Sequence, residues 1–219
     1  MDERHGTKRG CGCALVCAAL AVVLLWVAAR RWLYPFLARS APAASDALVV
    51  EGWLGDVPLA EALSWADAHG IARIYATGGP FETGSLLLAW TNCAAMTAAR
   101  LEAMGATQRV VAVAAPRTRK ERTAAAAEAL RAACGAELRD GFTLASQGTH
   151  TRRSWRVYRR AFGPETAAPG SLALAPPDHG ADDWWTSSAG VRTVLGELIA
   201  YAYDLCCRPS AADGETPGP

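Results

Sequence analysis

Chemistry in this sequence gathers first in SQGTHTRRS, residues 146–154, where one histidine, His150, sits among hydroxyls and guanidinium groups. An imidazole gives and takes a proton near neutral pH, and a general acid or an oxyanion donor needs a loop position of this kind. The bland alternative is a hydrogen-bonded structural histidine. Arg152 and Arg153 follow at the expected start of a helix, and Arg117, Arg119, Lys120 and Arg122 crowd another in PRTRKERT, residues 116–123. Such runs are often solvated helix starts. Positive charge at a helix N-terminus nevertheless opposes the macrodipole, so a nearby anion would relieve a cost. Two basic entrances on one sheet edge point to an anionic ligand such as a phosphate. Thr77-Gly78-Gly79 could cradle a phosphate with backbone N–H groups, or could be a tight turn, since it lacks the G-x-G-x-x-G and P-loop spacings. Glu51 closes a hydrophobic run, where a carboxylate is costly without a partner such as Arg122 or Arg153. Asp178, His179, Asp182 and Asp183 match no metal-ligand spacing and read as a solvated loop. Trp184 and Trp185 read as closing a cleft or packing under the last helix. No G-x-S-x-G nucleophile elbow occurs.

These residues need a scaffold, and the rest of the chain supplies a repeating one. Short apolar runs at 47–50, 73–76, 109–114, 142–145 and 172–175 read as strands. Helical stretches at 59–69, 85–104, 120–134 and 152–162 lie between them, and a last helix spans 188–205. Gly70, Gly105, Gly135 and Gly163 follow the four intervening helices, as left-handed helix stops would. Continuous apolar strands separated by helices predict a Rossmann-like three-layer α/β/α sandwich on a parallel five-stranded sheet. Ligands of such sheets bind beyond the carboxyl ends of the strands, where strand order reverses. The polar and titratable residues above fall at that edge.

Residues 11–29, CGCALVCAALAVVLLWVAA, carry no charge and no polar stripe, and basic residues bound them on both sides. Nineteen residues are close to the roughly 20 that a helix needs to cross a bilayer, and exceed the apolar region of about 7 to 15 in a signal peptide. A retained anchor is therefore expected. Arg4, Lys8 and Arg9 on one side balance Arg30, Arg31 and Arg39 on the other, so charge leaves orientation tied. Trp26, Trp32 and Tyr34 read as an interfacial belt. The division that follows is an N-terminal tail (1–10), the anchor (11–29), a linker (30–45), an α/β domain (46–207) and a disordered tail (208–219). The net charge of +1 offers no field to recruit nucleic acid, and the seven cysteines show neither zinc spacing nor a disulfide framework.

Several segments taken in order resemble the ElyC/SanA/YdcF family of bacterial envelope-associated proteins, built on a domain of unknown function. They are LVVEGWLGD at 48–56, YATGGP at 75–80, the Arg122-Thr123 pair, SQGTHTRRS at 146–154 and WWTSSAGVRTVLGELIAYAY at 184–203. The resemblance covers roughly residues 46–203. It implies a domain outside the bacterial cytoplasmic membrane behind a single-pass anchor, work in peptidoglycan or lipid-carrier steps, and a phosphorylated or nucleotide-like small-molecule ligand. By position it implies pocket residues Gly78, Gly79, Thr123, His150 and Arg153; Glu51, Arg122 and Ser146 join them from the reading of the strand ends. His150 is the candidate catalytic group. Where relatives carry T-x-E-N, this chain has Thr123 followed by Ala124, Ala125 and Ala126, which removes a carboxylate and an amide. An enzyme of anionic substrates, a noncatalytic ligand-binding or regulatory module, and a degenerate structural relative all remain open at this point, and no cofactor is specified.

Overall fold

The computed structural model describes residues 7–81 and 89–207, with side chains placed from residue 14 onward. Five strands, β1 (Ala47–Glu51), β2 (Arg73–Gly78), β3 (Arg109–Ala114), β4 (Thr143–Gln147) and β5 (Gly170–Leu174), form one sheet. Its order is β3-β2-β1-β4-β5, and every pairing is parallel. The chain winds outward from β1 through β2 to β3, then crosses to β4 on the other side. Strand order therefore reverses between β1 and β4, which opens a crevice beyond their carboxyl ends.

Both faces of the sheet are covered, as period-two alternation within β1 requires. Val49, Tyr75, Val113 and Leu144 pack against Leu130 of α4 (Arg122–Cys134) and Val157 and Tyr158 of α5 (Thr151–Phe162). Leu48, Val50 and Ile74 face the other way, onto Leu59 and Leu63 of α2 (Asp56–Ala68) and Leu101 of α3 (Cys93–Ala103). These strands are buried on both sides, which is why they read as continuous apolar runs.

The predicted elements are present with shifted ends. The helix expected over 85–104 begins only at Cys93, because Asn92 caps it: its side chain accepts from the Ala95 N–H at 2.8 Å. Residues 82–88 lie outside the described residues, as do 1–6 and the tail expected to be disordered from 208 on. Gly70, Gly105 and Gly163 have positive φ, as helix stops do. Gly135 does not; its φ of −57 continues the right-handed turn, and Gly141, at φ +95, makes the reversal into β4.

The N-terminal helix α1 runs Thr7–Leu37, and its stretch Ala14–Leu37 is long and apolar enough to cross a membrane. This overruns the expected anchor by eight residues, and the linker expected over 30–45 is not a free tether. Leu37 is fully buried and Tyr34 nearly so, in a third core with Trp184 and with Val194 of α6 (Ser188–Cys207). Tyr34 thus belongs to the domain and not to an interfacial belt, while Trp26 and Trp32 are exposed. Beyond the helix, Ala41 pairs with Ser171 at the β5 edge, and Ala43 N–H donates to Thr143 Oγ1 at 3.0 Å.

Candidate functional site

The crevice between β1 and β4 widens into a cleft of about 1060 Å³. Glu51 at the end of β1 and Gln147 at the end of β4 line its floor, and the Gly148–His150 turn leads into α5. Gly148 sits at φ +48, a left-handed conformation that glycine reaches without a side-chain clash. Opposite stand the Gly78-Gly79 turn after β2 and the entrance of α4 with Arg119, Arg122 and Thr123. One wall comes from α6, through Gly196, Glu197, Ala200 and Tyr203.

Glu51 is only 4% exposed, so its carboxylate must find donors inside the protein. Of the two arginines expected as partners, Arg153 binds Glu197, and two serines donate to Glu51. Ser154 Oγ donates to Oε1 at 2.9 Å, and Ser146 Oγ makes a short bond to Oε2. Two hydroxyls thus donate to the group, with His150 Nε2 3.9 Å from Oε1. Ser146 itself is fully buried under Glu51 and does not line the cleft, so its role is to hold the carboxylate. Nearby, Tyr158 is fully buried with its hydroxyl 2.9 Å from Thr77 Oγ1; burial, reinforced by the charge of Glu51, pushes its phenol well above the ordinary range.

His150 stands between two carboxylates. Its Nδ1 is 2.8 Å from Glu197 Oε1, and its Nε2 is 3.9 Å from Glu51 Oε1. A carboxylate can only accept, so the bond to Glu197 needs the hydrogen on Nδ1; Arg153 Nη2, 2.9 Å from the same nitrogen, is then a second donor that directs its hydrogens to Glu197. Nε2 is left to face Glu51 and the cleft. Arg153 also binds Glu197 in a fork, Nε to Oε2 at 2.9 Å and Nη2 to Oε1 at 3.2 Å. Burial would raise the Glu197 carboxyl, but hydrogen bonds and charge from His150 and Arg153 prevail and hold it at about 2. Trp53, half exposed at the mouth, meets His150 edge to face with ring centroids 5.2 Å apart.

This arrangement equips His150 to pass a proton at Nε2, with Glu197 fixing the tautomer and the ring. Among the described residues no serine, threonine or cysteine side chain is hydrogen-bonded to the imidazole, so the pair suits activation of a water or a substrate group better than covalent catalysis. Thr149, 2% exposed, lines the cleft with a hydroxyl that has no partner among the described residues.

The structure therefore brings together Glu51, Gly78, Gly79, Arg122, Thr123, His150 and Arg153 around one cleft. It also revises what the arginines do. Arg153 is already matched by Glu197, and Arg152 points away from the cleft to bond the Phe36 carbonyl and cover its ring. Arg119, Glu121 and Arg122 stand on the other side of the cleft, at the entrance of α4, and Arg122 also acts against the burial that raises the Cys93 thiol. Ala124 and Ala126 line that side as apolar wall. Asp178 and His179 reach the cleft, yet among the described residues no three metal-ligating side chains gather.

Glu197 is the residue that sequence reasoning missed. Its signal was a charge register: Glu197 and Asp204, seven apart on α6, face Arg153, Arg156 and Arg160, spaced three and four apart on α5. Asp204 binds Arg160 Nη2 at 2.7 Å and Arg156 Nε at 3.1 Å. Burial lifts the Asp204 carboxyl and these two arginines lower it further, to a net depression. Two turns of matched charge thus bolt α6 beside α5 and deliver Glu197 to His150. No family model, curated protein or solved structure matches the chain.

Proposed function

We propose that this chain is a single-pass protein of a bacterial cytoplasmic membrane, with its α/β domain on the extracytoplasmic side and a cleft that binds a phosphate-bearing or otherwise anionic small molecule. The reading extends the resemblance to envelope-associated proteins of the ElyC/SanA/YdcF type, and places the work in peptidoglycan or lipid-carrier metabolism. The observation that carries it is the pairing of His150 with Glu197 at the switch point of a parallel sheet, opposite an entrance bearing Arg119 and Arg122. A positioned imidazole next to a cationic, glycine-lined recess is suited to breaking or transferring a bond at an anionic centre.

A second reading, a noncatalytic binding or regulatory module, is favoured by Ala124 and Ala126 in the cleft wall and by there being, among the described residues, no hydroxyl or thiol bonded to His150. The two part under one experiment on the full chain in nanodiscs, offered a panel of phosphomonoesters and phosphodiesters with inorganic phosphate as the binding probe. Turnover that His150→Ala abolishes while the melting temperature stays put supports the enzyme. A phosphate-dependent rise in melting temperature with no turnover supports the binding module. Neither turnover nor stabilisation by phosphate would reject the anionic cleft altogether.

A further inference from the structure

The end of α1 reaches further into the molecule than an anchor needs. Leu37 is fully buried and Tyr34 is 7% exposed, packed with Trp184, Val194 and Leu198 in a core separate from the two faces of the sheet. Polar contacts fasten the same turns. Trp184 Nε1 donates to the Arg30 carbonyl at 3.4 Å, and the Arg30 guanidinium lies 3.9 Å over the Trp185 ring. The Phe36 carbonyl, one of the last four that a helix cannot satisfy internally, accepts from Arg152 Nε. A cation there also complements the helix C-terminus.

Each half of the acid–base pair is flanked in sequence by residues that touch this helix end. On the α5 side, Arg152 adjoins Arg153, and a Cβ built at Gly148 would lie 3.1 Å from the Tyr34 hydroxyl, so Tyr34 backs the turn that presents His150. On the α6 side, Val194 and Leu198 bracket Glu197 by one turn or less. The helix end thus sits in a wedge whose two sides carry the two partners. We propose that residues 30–37 of the membrane helix are part of the site's scaffold, and that the seating of this helix in its pocket sets whether His150 and Glu197 are assembled. The site then responds to displacement of the helix, as a site on a flexible linker would not. This rests on the reading of His150 and Glu197 as the working pair. Arg152 and Leu37 act on it as positioning residues.

The test uses the full chain in nanodiscs, with Arg152→Ala and Leu37→Ala as seat variants, Arg152→Lys as the conservative rescue and lipid-side Leu24→Ala as the control. Two readouts follow: amide hydrogen exchange over residues 148–153, and titration of the Glu197 carboxyl by carbon NMR. Seat variants should speed that exchange about tenfold or more and raise the carboxyl midpoint by roughly one pH unit, with Arg152→Lys restoring most of both and Leu24→Ala changing neither. If Leu37→Ala unfolds the domain, Arg152→Ala decides, because that side chain is only partly buried. Unchanged exchange and an unchanged midpoint in Arg152→Ala overturn the proposal. Should inorganic phosphate fail to bind even the wild-type chain, the ligand reading falls while the exchange data still test the seat.

Discussion

The two sides of the cleft are built on opposite principles. Around His150 the carboxylates have internal partners: Glu51 its two serines, Glu197 its histidine and arginine, Asp204 its two arginines. On the β2 and β3 side a glycine turn, two alanines and the α4 entrance with Arg119 and Arg122 border the space. The first side is preorganised and costly to disturb; the second is the recess that a ligand would enter under the proposed function. A site needs both, because a proton carrier must be held still while a ligand needs space and polar groups at the mouth of the cleft.

Substitutions should separate the sides. The largest effect is expected from Glu51→Ala, which strands two buried hydroxyls and opens a gap, and should destabilise the chain by about 3 kcal/mol in urea unfolding. Acid is next. Glu197 is held at about 2, below the usual 4.5, so its contribution is whole above pH 4.5 and lost as pH falls toward 2. That loss amounts to at most about 3 kcal/mol, visible as a falling melting temperature that Glu197→Gln should flatten over the same window. Gly78→Ala comes third: its Cβ would lie 2.8 Å from the Cys93 Cβ, and moving the start of α3 should cost about 1 to 2 kcal/mol and weaken phosphate binding. Smallest in stability is Arg119→Ala, within about 0.5 kcal/mol. Equal losses of stability on both sides would erase the contrast.

The fold was legible because its signals are local. Apolar runs of strand length, helices between them and glycines after them specify a parallel sheet, and the switch-point rule then selects the edge. The boundaries slipped where a side chain overruled composition, as Asn92 did by capping α3. Of the site, His150, Glu51, Arg122 and the glycine turn could be found because each follows a strand. What each arginine does could not, since Arg152 and Arg153 are neighbours in sequence yet serve α1 and Glu197 respectively. Successive residues on a helix point about 100° apart, and only the packing of α1 and α6 decides which partner each one meets. Glu197 lay in a mostly apolar helix far along the chain, visible only through its spacing from Asp204 against the arginines of α5.

The most direct test of a divided cleft is calorimetric titration of inorganic phosphate into the full chain, comparing Arg119→Ala/Arg122→Ala with Arg153→Ala. The double variant at the α4 entrance should lose about tenfold or more in affinity, while Arg153→Ala, on the opposite side of the cleft and bonded to Glu197, should change it by about twofold or less. Phosphate binding that survives the double variant and collapses with Arg153→Ala would contradict the divided cleft.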